Sequence, residues 1–232
     1  IYQDDEWFAF SLDSVLLSNF VSVKLTDKKI LDMACGNAPI PMLLTFRTNA
    51  SIYGIDIQKE VIDLGIQSIH ENKMDKQIFL DVLDINNVED KFSAEFFDVI
   101  TCNPPYFKYS NNDNINLNMN KRISRHEVLV NLDTIVQKAS YLLKNGGTFA
   151  MVHRPDRLIE IIDVMEKYNI APKKLQLCYS KVNSNCNLIL IEGNKNGKSG
   201  LKILSPVIVH NDDGSYSEEI RKMFGDDNDV AK

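Results

Sequence analysis

The stretch TCNPPYFKYS (101–110) puts an amide, two adjacent prolines and two aromatic rings into one short run. Consecutive prolines supply no backbone N–H donors and hold the chain extended. Asn103 just ahead of them, with Tyr106 and Phe107 just after, therefore makes a rigid corner that displays an amide, a carbonyl and an aromatic face. Those are acceptors and a stacking surface, equipment for holding a flat polar group. A plain strand-ending loop with a buried aromatic is the alternative, and so short a motif does not separate the two.

Three carboxylates stand at corresponding places upstream, in LDMACGNAPI, GIDIQ and LDVLDI. Asp56 lies 20 residues beyond Gly36. An acid at that distance past a glycine turn, on the tip of the second strand, can hydrogen-bond both hydroxyls of a ribose. Gly36 permits close backbone approach, Asp32 can meet an ammonium group, and Asp84 can accept from an adenine amine. Acidic residues at the first turn favour a cationic ligand over a pyrophosphate. A dinucleotide site would call for G-x-G-x-x-G, and A-C-G-N-A-P offers one glycine. In the blandest alternative Asp32 and Asp56 cap helices.

The elements that must position these groups alternate. Residues 12–23 are apolar at helical spacing, and 28–34 read as a buried strand. PIPMLLTF opens a helix, with proline tolerated in its first turn. Strand 51–57, a helix over 59–72 with Val61, Ile62, Ile66 and Ile69 on its apolar side, and strand 77–83 follow. Strand 96–103 then enters the corner. A helix over 132–147 is expected to stop at a Gly pair. Strand 147–153, a helix near 156–168, and strands 173–180 and 187–194 complete the set. Such alternation implies a mostly parallel sheet with helices on both faces. The short SKVNSN link between the last two strands makes them an antiparallel edge hairpin. The asparagine-rich stretch 111–120 reads as a loop, Lys173–Lys174 as a solvated strand edge, and LKILSPVIVHNDDGSY as an ordered appendage with a DDG turn.

Composition narrows the field further. The 232 residues are 44% hydrophobic and 25% charged, ordinary for a globular protein with a full core. No apolar run approaches the roughly 18 to 20 residues of a membrane helix. Four cysteines without a CxxC pair and four histidines without HExxH-type spacing argue against a zinc site or a disulfide framework, and make a reducing cytoplasm the default. The net charge of −6 speaks against gripping nucleic acid with the whole surface but leaves room for a local basic face. Phe107, Lys108, Lys121, Arg122, Arg125, His126, Arg154 and Arg157 are the candidates for that face. For Arg125, His126 and Glu127 a structural pair network is the competing role.

In order, DMACGNA, GIDIQ, LDVLDI and NPPYF resemble the motifs of class I S-adenosylmethionine-dependent methyltransferases that act on amino groups. FSLDSVLLSNFV (10–21), SRHEV (124–128), VHRPDRL (152–158) and SPVIVHNDDGSY (205–216) narrow the resemblance to the bacterial valine-tRNA adenine-N6 methyltransferases, over nearly the whole chain. The resemblance implies a Rossmann-like α/β fold with a seven-stranded, mostly parallel sheet and an antiparallel edge hairpin. It implies one domain over 1–232: a helical segment 1–27, a core 28–194 and an appendage 195–232. It further implies S-adenosyl-L-methionine as cofactor and adenine 37 of a tRNA as substrate, with no metal, no membrane and a monomeric state. Cofactor contacts would come from Ser11, Asp13, Asp32, Ala34, Gly36, Asn37, Asp56, Ile57, Asp84, Ile85 and Asn103. The catalytic corner would be Asn103, Pro104, Pro105 and Tyr106. Ala34 and Ala38 depart from the family, standing at positions usually glycine.

The chemistry explains the corner. The exocyclic amine of adenine is a poor nucleophile because its lone pair is delocalised into the ring. If Asn103 Oδ1 and the Pro104 carbonyl each accept one N–H, the lone pair is released as positive charge builds, stabilised by preorganised acceptors. Tyr106 would stack on the base. Two other outcomes remain open: methylation of a glutamine side-chain amide in a protein, and a catalytically silent RNA-binding module.

Overall fold

The computed structural model describes residues 1–2, 11–104 and 131–225. Strands β1 (Lys29–Met33), β2 (Ser51–Asp56), β3 (Ile78–Val82), β4 (Phe97–Cys102) and β5 (Leu143–His153) run parallel. Strands β6 (Ile170–Tyr179) and β7 (Cys186–Lys195) form an antiparallel hairpin, and β7 is also antiparallel to β5. Two-residue strands β8 (Lys202–Ile203) and β9 (Val207–Ile208) pair with β6. The order β3-β2-β1-β4-β5-β7-β6-β8 reverses direction between β1 and β4. Such a reversal marks the place, beyond the carboxyl ends of those two strands, where open α/β sheets bind ligands.

Helices α1 (Leu12–Phe20), α2 (Pro39–Leu44), α3 (Lys59–Glu71), α4 (Leu132–Leu142), α5 (Leu158–Lys167) and α6 (Glu218–Met223) cover the sheet. The central strands are apolar on both faces, as parallel strands sandwiched between helices must be. Leu31, Met33, Ile100, Phe149 and Met151 point into a cluster with Ile135 and Val136 of α4 and Ile161 and Met165 of α5. Ile30, Ile52, Val99 and Val152 alternate with them and meet Leu16 and Leu17 of α1, Ile40 and Leu44 of α2, Ile69 of α3 and Ile220 of α6. Each fully buried Leu or Ile contributes about 2 kcal/mol.

Several expectations shift in detail. Ile66 of α3 is 48% exposed, and Gly65 takes its place against the sheet because a larger residue there would strike Leu80. The helix expected to reach the Gly pair ends at Leu142. Leu143 is already extended and pairs with Phe97, after which the register jumps to Val99–Thr148 and the KNGG segment bulges, with Gly146 at φ 76°. The sheet has nine strands among the described residues rather than the expected seven. The β6–β7 hairpin is antiparallel as read, but it is not the edge, because β7 lies inward against β5 and the short β8 and β9 line the outer side of β6. The 205–216 segment is packed in, with Val207 and Val209 buried and Gly214 (φ 87°) closing its turn. Among the described residues no helix is long and apolar enough to cross a membrane, and no cluster of three His, Cys, Asp or Glu could hold a metal ion.

Candidate active site

Strand register lines up the expected site residues along one edge. Met33 pairs with Ile55 on one side and Cys102 on the other, and Asp56 pairs with Val82. The turn after β1 therefore lies between the tip of β2 at Asp56 and Asn103, which follows β4 directly. Asp84 stands just past β3. Asn103 is partly exposed while Cys102 below it and Pro104 beside it are buried. Pro105, Tyr106, Phe107, Lys108, Lys121, Arg122, Arg125 and His126 lie outside the described residues, as does the 111–120 stretch.

The turn itself is a left-handed zigzag: Ala34 at φ 56°, Gly36 at 55° and Ala38 at 65°. An L-residue in this conformation costs about 1 kcal/mol, so both alanines hold a shape made for glycine. Bonds from outside the turn hold it there. Cys35 N–H donates to Ile55 O at 3.0 Å, and Gly36 N–H donates to Asp56 Oδ2 at 2.9 Å. Asp56 Oδ1 accepts from Gln58 N–H at 3.0 Å, so the carboxylate ties two turns together. No side chain caps α3. Two glycines that the sequence analysis passed over make the room. A Cβ on Gly54 would come within 2.8 Å of Cys35 Sγ, and one on Gly65 within 3.2 Å of the Asn37 backbone. For Gly54 in mid-strand the available signal was that glycine there often marks a close approach of other chain.

Asp32 behaves differently. It is fully buried, and Oδ1 accepts from Thr101 Oγ1 at 2.7 Å. Oδ2 is the one buried side-chain oxygen or nitrogen without a hydrogen-bond partner among the described residues. Burial, with help from the charge of Asp56, pushes this carboxyl up to about 8 against the pull of Thr101. Burial first, and the two carboxylates after it, raise the thiols of Cys35 and Cys102. Neither cysteine is a ready nucleophile.

The remaining expected contacts are mixed. Asn37 is buried, and its amide donates to Tyr2 O at 2.8 Å, so what it offers the turn is backbone. Asp84 Oδ1 accepts from the backbone and side-chain amides of Asn86 at 2.8 and 2.9 Å, capping a 3-10 turn. Ile57 is half-buried beside Asp56, and Ile85 packs into the core cluster. Ser11 precedes α1, and Asp13 in its first turn lies near Cys178 at the end of β6. Arg154 is exposed just past β5, its Nε 3.9 Å from Asp156, whereas the Arg157 guanidinium is engaged by Glu160.

Lys174 is no solvated edge. Its Nζ donates to Phe20 O at 3.0 Å and Ser22 Oγ at 2.8 Å, and lies 3.1 Å from the buried Glu192 carboxylate. Glu192 accepts from Ser22 N–H at 2.6 Å, and Arg47 donates to Ser18 O and Val21 O. Two cations thus satisfy the carboxyl end of α1, as helix dipoles favour. At the end of β5 the buried His153 accepts Arg154 N–H on Nδ1 at 2.8 Å. Burial and the Arg157 charge hold this imidazole down to about 4, so it is neutral with its proton on Nε2. Two surface cavities, of about 380 and 300 Å³, open elsewhere, one beside Asn169 and Asn196 and one beside Leu25 and Phe46.

A family model described as a methyltransferase domain matches residues 24–204. The chain belongs to that family. This methyltransferase is 24% identical over 214 residues to the tRNA1(Val) (adenine(37)-N6)-methyltransferase of Bacteroides fragilis, an alignment covering 91% of this chain and 86% of that protein. It is 22% identical to the protein of that name from Cytophaga hutchinsonii, over 77% of this chain and 74% of that one. Among solved structures, a protein described as a predicted O-methyltransferase from Agrobacterium tumefaciens superposes with a TM-score of 0.73 at 17% identity, covering 92% of this chain and 95% of the other. The geranyl diphosphate C-methyltransferase of Streptomyces coelicolor, solved with S-adenosyl-L-homocysteine, gives 0.59 at 13% identity over 78% and 76% of the two chains. The methyltransferase fold is thereby that of class I enzymes, with β6 and β7 antiparallel as the sequence analysis expected and β8 and β9 added outside them.

Proposed function

We propose that this methyltransferase transfers a methyl group from S-adenosyl-L-methionine to N6 of an adenine in tRNA, at position 37 beside the anticodon of a valine tRNA. The observation that carries it is the juxtaposition across the switch point of the β1 turn, with Asp32 and Asp56, and the Asn103–Pro104 corner. The names of the curated relatives supply the substrate class.

The residues fit the cofactor on two counts. Asp32 Oδ2 is a buried acceptor in want of a donor, which an ammonium group would be. The Ala34–Ala38 turn keeps the left-handed shape that lets a ligand approach backbone, even with alanine at two of its places. Asp32, Ala34, Gly36 and Asp56 would hold the group, with Ser11, Asp13, Asn37, Ile57, Asp84 and Ile85 around it. When bound it supplies an electrophilic methyl on sulfur.

The protein's part is positioning and charge. Asn103 Oδ1 and the Pro104 carbonyl accept the two N–H bonds of the adenine amine, which frees its lone pair for attack and stabilises the positive charge that follows. The proline pair keeps both acceptors from relaxing toward solvent. Pro105 and Tyr106 complete the corner, Tyr106 by stacking on the base. Arg154, exposed at the neighbouring strand end, takes a phosphate near the flipped base, and Phe107, Lys108, Lys121, Arg122, Arg125 and His126 extend that grip. The proposal includes a single 1–232 unit acting as a monomer in the cytoplasm.

The test gives the protein labelled cofactor together with separate pools of tRNA, duplex DNA and release-factor protein. Label enters tRNA, and Asn103→Ala reduces the rate by about 100- to 1,000-fold, far more than it weakens cofactor binding. Label in protein would move the assignment to glutamine methylation. Cofactor binding without transfer to any pool would make the chain a silent module.

A further inference from the structure

Asp32 has one oxygen engaged and one idle. A threonine hydroxyl carries a single proton, and Thr101 gives it to Oδ1 at 2.7 Å; the next acceptor, Leu31 O, is 3.5 Å away. Both side chains are fully buried, and the bond fixes the plane of the carboxyl. Among the described residues Oδ2 is left without a hydrogen-bond partner. Its ionisable surroundings are Asp56 on β2, Cys35 in the turn and Cys102 on β4. Among the described residues no Lys, Arg or His forms an ion pair with it. A buried carboxylate without a counter-charge is strongly disfavoured, so the free protein keeps this group as the neutral acid at pH 7, in line with its rise to about 8.

We infer that Thr101 is a positioning residue that reserves Asp32 Oδ2 for one cationic donor, the ammonium group of an amino-acid-bearing nucleoside, and that the carboxyl releases its proton to solvent as that ammonium arrives. The inference rests on the cofactor proposed above. The balance is simple: a carboxylic acid and an ammonium become a carboxylate paired with that ammonium, plus one proton in water. Binding is therefore a proton-releasing event, tighter as pH rises toward 8.

Titration calorimetry of the full chain at pH 7, in buffers of different ionisation enthalpy, reads that proton directly. S-adenosylhomocysteine carries the ammonium, and methylthioadenosine carries the same nucleoside thioether without it. Nearly one proton should be released per S-adenosylhomocysteine bound and none per methylthioadenosine. Thr101→Val should weaken S-adenosylhomocysteine roughly tenfold and leave methylthioadenosine unchanged, with Thr101→Ser restoring the difference. Equal release with both probes, or S-adenosylhomocysteine binding without release, overturns the proton coupling whether or not the valine variant folds. A folded Thr101→Val with undiminished S-adenosylhomocysteine affinity overturns the role of Thr101. If neither probe binds, the cofactor assignment itself fails and takes the inference with it.

Discussion

Asp32 and Asp56 are the same residue type on adjacent strands, both nearly inaccessible, and their surroundings give them opposite tasks. Asp56 holds two backbone N–H groups, one on each oxygen, and so joins the turn after β1 to the turn after β2. Asp32 meets one hydroxyl and leaves an oxygen unmatched in the interior. A carboxylate with a backbone N–H on each oxygen is fixed by the scaffold, with its second lone pairs left for the ribose role proposed for it. One left short of a donor is a place for a ligand. The tip of β2 is built to be rigid, while the end of β1 is built to be completed.

The largest expected effect breaks the scaffold side. Asp56→Ala leaves Gly36 N–H and Gln58 N–H without acceptors, and loss of two bonds to a carboxylate should cost about 3 kcal/mol in urea unfolding. An Asp56→Ala protein as stable as the parent would mean that the turn is held by its other bonds alone.

The ligand side has a pH signature of about 2 kcal/mol. The folded Asp32 carboxyl is raised above its unfolded value, so the folded state binds the extra proton and loses stability as pH rises toward 8. His153 is depressed to about 4, so the unfolded state binds more protons below 6.5 and stability there rises with pH. The two slopes oppose each other from about 4 to 6.5, and Asp32 acts alone from there to 8. Thermal melts of ligand-free protein should fall across that upper window, and Asp32→Asn should remove the fall.

The smallest effect separates the two alanines. Ala34→Gly relieves a left-handed residue at a partly buried site and should stabilise by about 0.5 kcal/mol after the added chain entropy. Ala38 has the same φ, but its methyl is fully buried. Losing that methyl offsets the relief, so Ala38→Gly should be neutral within about 0.5 kcal/mol. Equal responses would indicate that burial plays no part in the choice of alanine.

Much of this was legible beforehand. Alternating apolar runs with turn residues between them placed the strands, and the carboxyl-end rule then put Asp32, Asp56, Asp84 and Asn103 on one edge. Ile66 was misassigned because helical spacing alone cannot tell which side of a broad apolar face meets Leu80. The helix before β5 was overrun because KNGG reads as a helix stop, whereas extended pairing with β4 captured Leu143 first. Lys174 looked solvated because its partner Glu192 lies on a different strand.

The order of residues along this chain determined which chemical groups exist, how far apart they sit and which strand ends carry them, because periodicity and turn chemistry are local properties. Folding decided which of two like carboxylates would be satisfied, since that depends on Thr101 standing opposite one and Gly36 opposite the other across strand pairings that span 69 and 20 residues. Solvent exclusion, which turns an unmatched oxygen from trivial to costly, exists only once those pairings close.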